Sequence, residues 1–265
     1  NRKLPFEKVV AAILSFPFAM PELGPYDVLC RMCYGSTCAG TDIHLMDGLH
    51  PYPVTFPTVL GHESVGRVVE LGAKVKNYKL GDLVSRVGYP GDAKSGVFSN
   101  WGGFAEYGIA KDHWQMRRDG VEESQWTKYR VNQIIHPAID EKTAPMIITW
   151  RETLSYDRRI GIGAGTRLLL IGSGANALAH CANAVNLGAE VTVVGSGKRR
   201  GDFEKLAICA FHNYRDEKLT ENVLEKHRGE KFDMILDGVG ASDNVNRLLP
   251  LLKKDGTVEE LTMAD

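Results

Sequence analysis

Three things are scarce in this 265-residue sequence: cysteine, long apolar runs and any excess of one charge. Each shortage removes a class of protein. No stretch of about 18 consecutive apolar residues is present, so no spanning helix is expected. The apolar patch Val9 to Leu14 soon meets Pro17 and Pro21, too early for a signal segment, and the expected location is the cytoplasm. A formal net charge of -1 gives no general attraction to nucleic acid or to anionic membranes, and a small molecule is the expected partner. Cys30, Cys33, Cys38, Cys181 and Cys209 are an odd, scattered set, which argues for free thiols or metal ligands against a disulfide framework. Cys30 and Cys33 sit on an expected strand, where three-residue spacing sends them to opposite faces as ordinary thiols.

Two halves of different texture fill the chain. Gly or Pro recurs every few residues from Pro51 to Gly108, the punctuation of short strands in a barrel-like β domain. From about Asp140 the pattern becomes alternating helix and strand. A helix is expected over 141–159, strands over 167–171, 191–194, 234–236 and 256–261, and a helix running to Asn186. Such alternation argues for a parallel, doubly wound sheet. The expected domains are therefore 1–148 and 149–265.

Gly172-Ser173-Gly174-Ala175-Asn176-Ala177 lies between a strand and a helix, giving G-x-G-x-x-A. Gly172 permits the tight turn, Gly174 lets a pyrophosphate approach the backbone, and Ala177 keeps the helix close to the sheet. The helix N-terminus, at Ala175 and Asn176, offers donors to phosphate. An NAD site places an acid about twenty residues on, at the end of the second strand. Here that end is Gly195, followed by Ser196-Gly197-Lys198-Arg199-Arg200. A hydroxyl and three cations suit a 2'-phosphate, so NADP(H) is expected in preference to NAD(H).

The other concentration of chemistry is Cys38-Ala39-Gly40-Thr41-Asp42-Ile43-His44 followed by Gly61-His62-Glu63-Ser64-Val65-Gly66-Arg67-Val68. Thiol and imidazole are zinc ligands, and a catalytic zinc keeps an open position for a substrate oxygen. These segments, with Gly102-Gly103-Phe104-Ala105-Glu106-Tyr107 and the glycine-rich turn, resemble the zinc-containing alcohol dehydrogenase branch of the medium-chain dehydrogenase/reductase superfamily. The resemblance runs from about residue 10 to about residue 258. It implies a GroES-like β-barrel catalytic domain followed by a Rossmann domain. It also implies a homodimer or homotetramer.

By the same resemblance, Cys38 and His62 bind one catalytic zinc, with Glu63 beside them. Asp42 orients His62, Thr41 bonds the substrate oxygen, and His44 passes the proton to solvent. Trp101, Trp150 and Phe104 are candidate pocket aromatics. Two departures stand out. The family has one residue between the cysteine and Thr/Ser-Asp where this chain has Ala39 and Gly40, which calls for a bulge or a rotated thiol. The position of the third zinc ligand falls on Ile148, so Glu63 or Glu152 must replace it. Many family members carry four closely spaced cysteines for a structural zinc just after the Gly-Asp-x-Val strand; the stretch after Gly81-Asp82-Leu83-Val84, with Gly88, Pro90, Gly91 and Gly96, holds none, which argues against that zinc. Compared with the family, the opening segment from Ile13 to Pro21 is short and the nucleotide domain is incomplete at Asp265.

The leading expectation is an NADP(H)-dependent, zinc-assisted alcohol dehydrogenase or carbonyl reductase acting on a small alcohol, polyol or aldehyde. The alternatives are a zinc-independent quinone or enoyl reductase and a nucleotide-binding protein without turnover.

Overall fold

Alternation of apolar and polar residues in the first half produces antiparallel strands, as a computed structural model of the chain shows. It describes residues 20–38, 40–50, 54–92, 94, 96–240 and 242–260. The readings made on residues 9–19, on Ala39 and on Leu261 lie outside them. The chain divides into two compact units, Asn1–Ile148 and Thr149–Asp265.

In the first unit, β1 (Asp27–Ser36), β2 (Thr58–Val59), β3 (Glu63–Leu71), β4 (Leu83–Ser85), β5 (Phe98–Ser99) and β6 (Tyr107–Lys111) form a four-stranded sheet, β4-β3-β1-β6, and a two-stranded one, β2-β5. Val28, Cys30, Val68, Tyr78, Val84, Val87 and Ala110 make its main core. Cys33 packs instead with Val65, Leu83, Ile135 and Ala144, so the two thiols of the C-x-x-C serve different clusters. The antiparallel register sets Ser36 opposite Glu63. That pairing brings the chain just beyond the end of β1 to the chain just before the start of β3.

The second unit holds β7 (Arg167–Ile171), β8 (Glu190–Gly195), β9 (Ala210–Asn213), β10 (Phe232–Asp237) and β11 (Leu252–Glu260) in one parallel sheet of order β11-β10-β7-β8-β9. Successive residues of β7 feed opposite faces. Leu168 and Leu170 join Ala177, Cys181 and Ala184 of the helix Ala175–Asn186, while Leu169 and Ile171 join Leu219, Val223 and Leu248. A strand buried on both sides needs an unbroken apolar run, and Leu168-Leu169-Leu170-Ile171 supplies it. Strand order reverses between β7 and β10, the position where open α/β sheets receive ligands at their carboxyl ends.

Some boundaries differ from expectation. The long helix runs over Ile147–Arg159, and the 3₁₀ turn Ala144–Met146 precedes it. Pro145 lacks an N–H and disfavours helical backbone in the residue before it, which stops the helix short of Glu141. The last strand begins at Leu252, ahead of Gly256, and the four-residue β9 was not anticipated. Among the described residues no helix is long and apolar enough to cross a membrane.

Candidate active site: a metal-donor cluster and a phosphate cradle

Cys38 lies two residues past the end of β1, and a reciprocal pair of bonds fixes its backbone. Its N–H donates to Asp42 Oδ2 at 2.8 Å and its carbonyl accepts the Asp42 N–H at 3.2 Å. These close one turn leading into the short helix Thr41–Asp47, with Gly40 at its N-cap. The extra residue between Cys38 and Thr41 is thus absorbed as helical turn. The Cys38 thiol is 3.8 Å from Thr41 Oγ1. His44 stands one turn further along the same helix.

His62 reaches the cluster through a strained turn. Gly61 has φ +102°, and a Cβ there would lie 2.8 Å from the Phe104 ring, so only glycine fits. The Gly103 and Phe104 N–H groups donate to the carbonyls of Gly61 and Leu60 at 2.8 and 2.9 Å, clamping the turn. Phe104 therefore packs against Gly61 and supports the turn that precedes His62. The sulfur of Cys38, a ring nitrogen of His62 and a carboxylate oxygen of Glu63 all lie within 4.8 Å of one another. Among the described residues this is the cluster of thiol, imidazole and carboxylate that could hold a metal ion.

Electrostatics tie the three elements together. His62 Nδ1 is 3.7 Å from Asp42 Oδ1, ion-pair range but too long for a hydrogen bond, and both atoms are buried. Burial pulls the imidazole toward neutrality, but Asp42 and Cys38 outweigh it and raise its pKa to about 9. The Cys38 thiol is held below its usual value, chiefly by hydrogen bonding to His62, against the opposing effect of burial. A thiol that ionises readily is what a soft divalent metal binds.

Trp101 covers this cluster from the solvent side. Its ring centroid is 5.3 Å from that of His62 and 5.9 Å from that of His50, and the side chain remains 38% exposed. Its φ of +68° is rare for a bulky residue and is enforced locally. A Cβ on Gly88 would lie 1.6 Å from the Trp101 carbonyl oxygen, and Gly102 follows with φ +70°. The glycines around Trp101 were the available signal for this conformation. Ile148 is 1% exposed and offers no donor. Glu152 and Trp150 are exposed and belong to the other unit.

The glycine-rich turn of the second unit is built locally. Gly172 has φ +125°, and a Cβ there would sit 3.5 Å from that of Ala177, which is buried against the sheet. Gly174 is the N-cap of the helix that Ala175 and Asn176 begin, and a Cβ on it would meet nothing within 4 Å. That leaves open space above the helix N-terminus, whose N–H groups could hold a phosphate. Beyond β8, the Ser173 and Ser196 hydroxyls are 3.0 Å apart. Lys198 and Arg199 are exposed, and among the described residues neither pairs with an acid, whereas Arg200 bonds Glu204 at 2.6 Å. The basic run thus divides: two cations are available and the third is engaged.

The Alcohol dehydrogenase GroES-like domain family matches residues 24–119. An NADP-dependent alcohol dehydrogenase C of Mycolicibacterium smegmatis is 29% identical over 262 residues, covering 92% of this chain and 71% of that protein. The L-threonine 3-dehydrogenase of Pectobacterium atrosepticum is 25% identical over 262 residues, covering 91% and 67%. Among solved structures, one from Sinorhizobium meliloti described as a zinc-binding dehydrogenase bound to NADP aligns with a TM-score of 0.73 at 23% identity, over 93% of this chain and 72% of that one. The chain matches the GroES-like domain of alcohol dehydrogenases over residues 24–119, and its dehydrogenase relatives support the zinc-containing medium-chain dehydrogenase/reductase superfamily. It is an NAD(P)-dependent oxidoreductase of alcohol dehydrogenase type.

Proposed function

We propose that this protein is an NADP(H)-dependent, zinc-assisted alcohol dehydrogenase or carbonyl reductase acting on a small alcohol, polyol or aldehyde, and that it works as a homodimer or homotetramer. The observation that carries the reading is the convergence of Cys38, His62 and Glu63 donor atoms within 4.8 Å. Sulfur, imidazole nitrogen and carboxylate oxygen are the donor set of zinc, and three protein ligands leave a fourth position open. When bound, zinc supplies Lewis acidity toward a carbonyl or hydroxyl oxygen, and the nicotinamide supplies or accepts hydride.

The residues around the donors divide the remaining work. Asp42 faces His62 Nδ1, which leaves Nε2 for the metal, and its other oxygen holds the Cys38 backbone, so one carboxylate orients two ligands. The Thr41 hydroxyl beside Cys38 is the donor or acceptor for the substrate oxygen, and His44 on the same helix carries the proton onward. Trp101 shields His62 from water. Gly172, Gly174 and the helix N-terminus at Ala175 and Asn176 receive the pyrophosphate, while Ser196, Lys198 and Arg199 receive the 2'-phosphate.

The absence of a donor at Ile148 favours a second reading, a zinc-independent quinone or enoyl reductase on the same fold. Elemental analysis of the purified protein separates the two. About one zinc per chain, lost with alcohol oxidation in His62→Ala, supports the first; full alcohol oxidation by metal-free protein supports the second.

A further inference from the structure

The end of β8 is where a dinucleotide site chooses between ribose hydroxyls and a ribose phosphate, and here Gly195 stands at that end. Gly195 does not have the positive φ that marks Gly172 or Gly197, so its backbone would accept any residue. Space is what forbids a side chain. A Cβ on Gly195 would lie 2.7 Å from Ser173 Cβ, 3.0 Å from Ser173 Oγ and 3.1 Å from the Phe211 ring. The side chain of Ser173, the variable residue inside the glycine-rich turn, therefore occupies the room from which an acid at position 195 would reach the ribose.

The same hydroxyl is also wired to the loop beyond β8. Ser173 Oγ accepts the Ser196 N–H at 3.0 Å and lies 3.0 Å from Ser196 Oγ. A serine hydroxyl has one proton and two lone pairs. With a lone pair of Ser173 given to the Ser196 N–H, its proton can go to Ser196 Oγ, which frees the Ser196 proton to point outward at an anion. Ser196 opens the segment that carries Lys198 and Arg199.

We infer that Ser173 is a positioning residue that sets cofactor preference toward NADP(H): it excludes an acid at 195 by volume and holds Ser196 as an outward donor for the 2'-phosphate. This rests on the NADP(H) reading above, and the test separates the two. Dissociation constants for NADPH and NADH are measured by fluorescence titration of the full chain. Wild-type protein that prefers NADH overturns the underlying reading, and the Ser173 role with it. With wild type preferring NADPH, Ser173→Ala is expected to weaken NADPH roughly three- to tenfold, the loss of one hydrogen bond, and to leave NADH unchanged. An equal change for both cofactors, or no change, overturns the Ser173 role alone.

A second measurement needs no cofactor. Gly195→Ala is expected to lower Tm by about 4 °C or more, because a backbone-attached carbon must shift its neighbours. Adding Ser173→Gly to that variant is expected to restore most of the loss, and Gly195→Asp on the same background is expected to favour NADH. A Gly195→Ala protein as stable as wild type, or one not rescued by Ser173→Gly, overturns the volume argument.

Discussion

The candidate sites of the two units are built by different means. The phosphate cradle is local: strand, glycine turn and helix follow one another over 167–186, and only Ser196 and its basic neighbours come from elsewhere. The metal-donor cluster is assembled from the ends of two antiparallel strands, β1 and β3, and a third loop that carries Trp101 and Phe104 presses on it. Backbone strain follows the same division. The non-glycine residues Arg86 and Trp101 hold positive φ near the donor cluster, while the cradle puts positive φ only on glycine. A local motif can be built from permissive residues; a convergent one must be held by its neighbours, at a cost of order 1–3 kcal/mol for each such residue.

Breaking one site at a time exposes this difference, and the largest effect is expected at the donors. His62→Ala should abolish alcohol oxidation and remove most bound zinc, as elemental analysis would show, because two remaining ligands cannot hold the ion. Unchanged zinc content would take His62 out of the coordination. Next comes the cradle, where Lys198→Ala with Arg199→Ala should weaken NADPH by a factor of tens or more. Each charge-assisted hydrogen bond lost is worth about 1.5–3 kcal/mol. NADH affinity, measured by the same titration, should barely move, and zinc content should stay at the wild-type value.

Smaller effects sharpen the comparison. Gly61→Ala places a side chain at φ +102° and 2.8 Å from the Phe104 ring, so it should cost about 1–3 kcal/mol in denaturant unfolding and lower zinc occupancy as well. Gly174→Ala should be milder in stability, since its Cβ meets nothing within 4 Å, and should act on cofactor affinity alone. Equal stability losses in the two variants would contradict the contrast between a clamped and an open glycine.

The smallest expected effect concerns the frame of the first unit. Buried Asp112 accepts hydrogen bonds from the Lys76, Asn77 and Gln115 N–H groups and from the Asn77 amide, at 2.8 to 3.0 Å. Burial acts to raise its pKa, but these donors outweigh it and hold the carboxyl below its usual value. A depressed folded-state pKa contributes stability above the unfolded value of about 3.9, and that stability is lost as pH falls through the folded value. Asp112→Asn should therefore cost roughly 1–2 kcal/mol at pH 7 and progressively less toward pH 3. A difference that stays constant across that range would show that the charge is not what the donors hold.

The sequence alone carried the nucleotide half furthest, because its information lies in neighbours: an apolar run, two glycines, an alanine and a helix. The order of units, the expected β7, β8 and β10, and the cysteine–histidine–glutamate donor set could be read in the same way, since each depends on residue type and short spacing. Apolar periodicity alone extends the helix back to Glu141, but Pro145 delays its start to Ile147, and the four residues of β9 are too few to show a period. Only the tertiary structure decided how Cys38 meets His62. The Ser36–Glu63 register closes the distance, and Asp42 absorbs the extra residue as a turn. It also decided that Phe104 supports the Gly61 turn, that Trp101 covers His62, and that Ser173 fills the room beside Gly195. These are contacts between residues about 22 to 43 positions apart. Their identities are printed in the chain, but the few ångströms that give them a role exist only after the strands have paired and the core has closed.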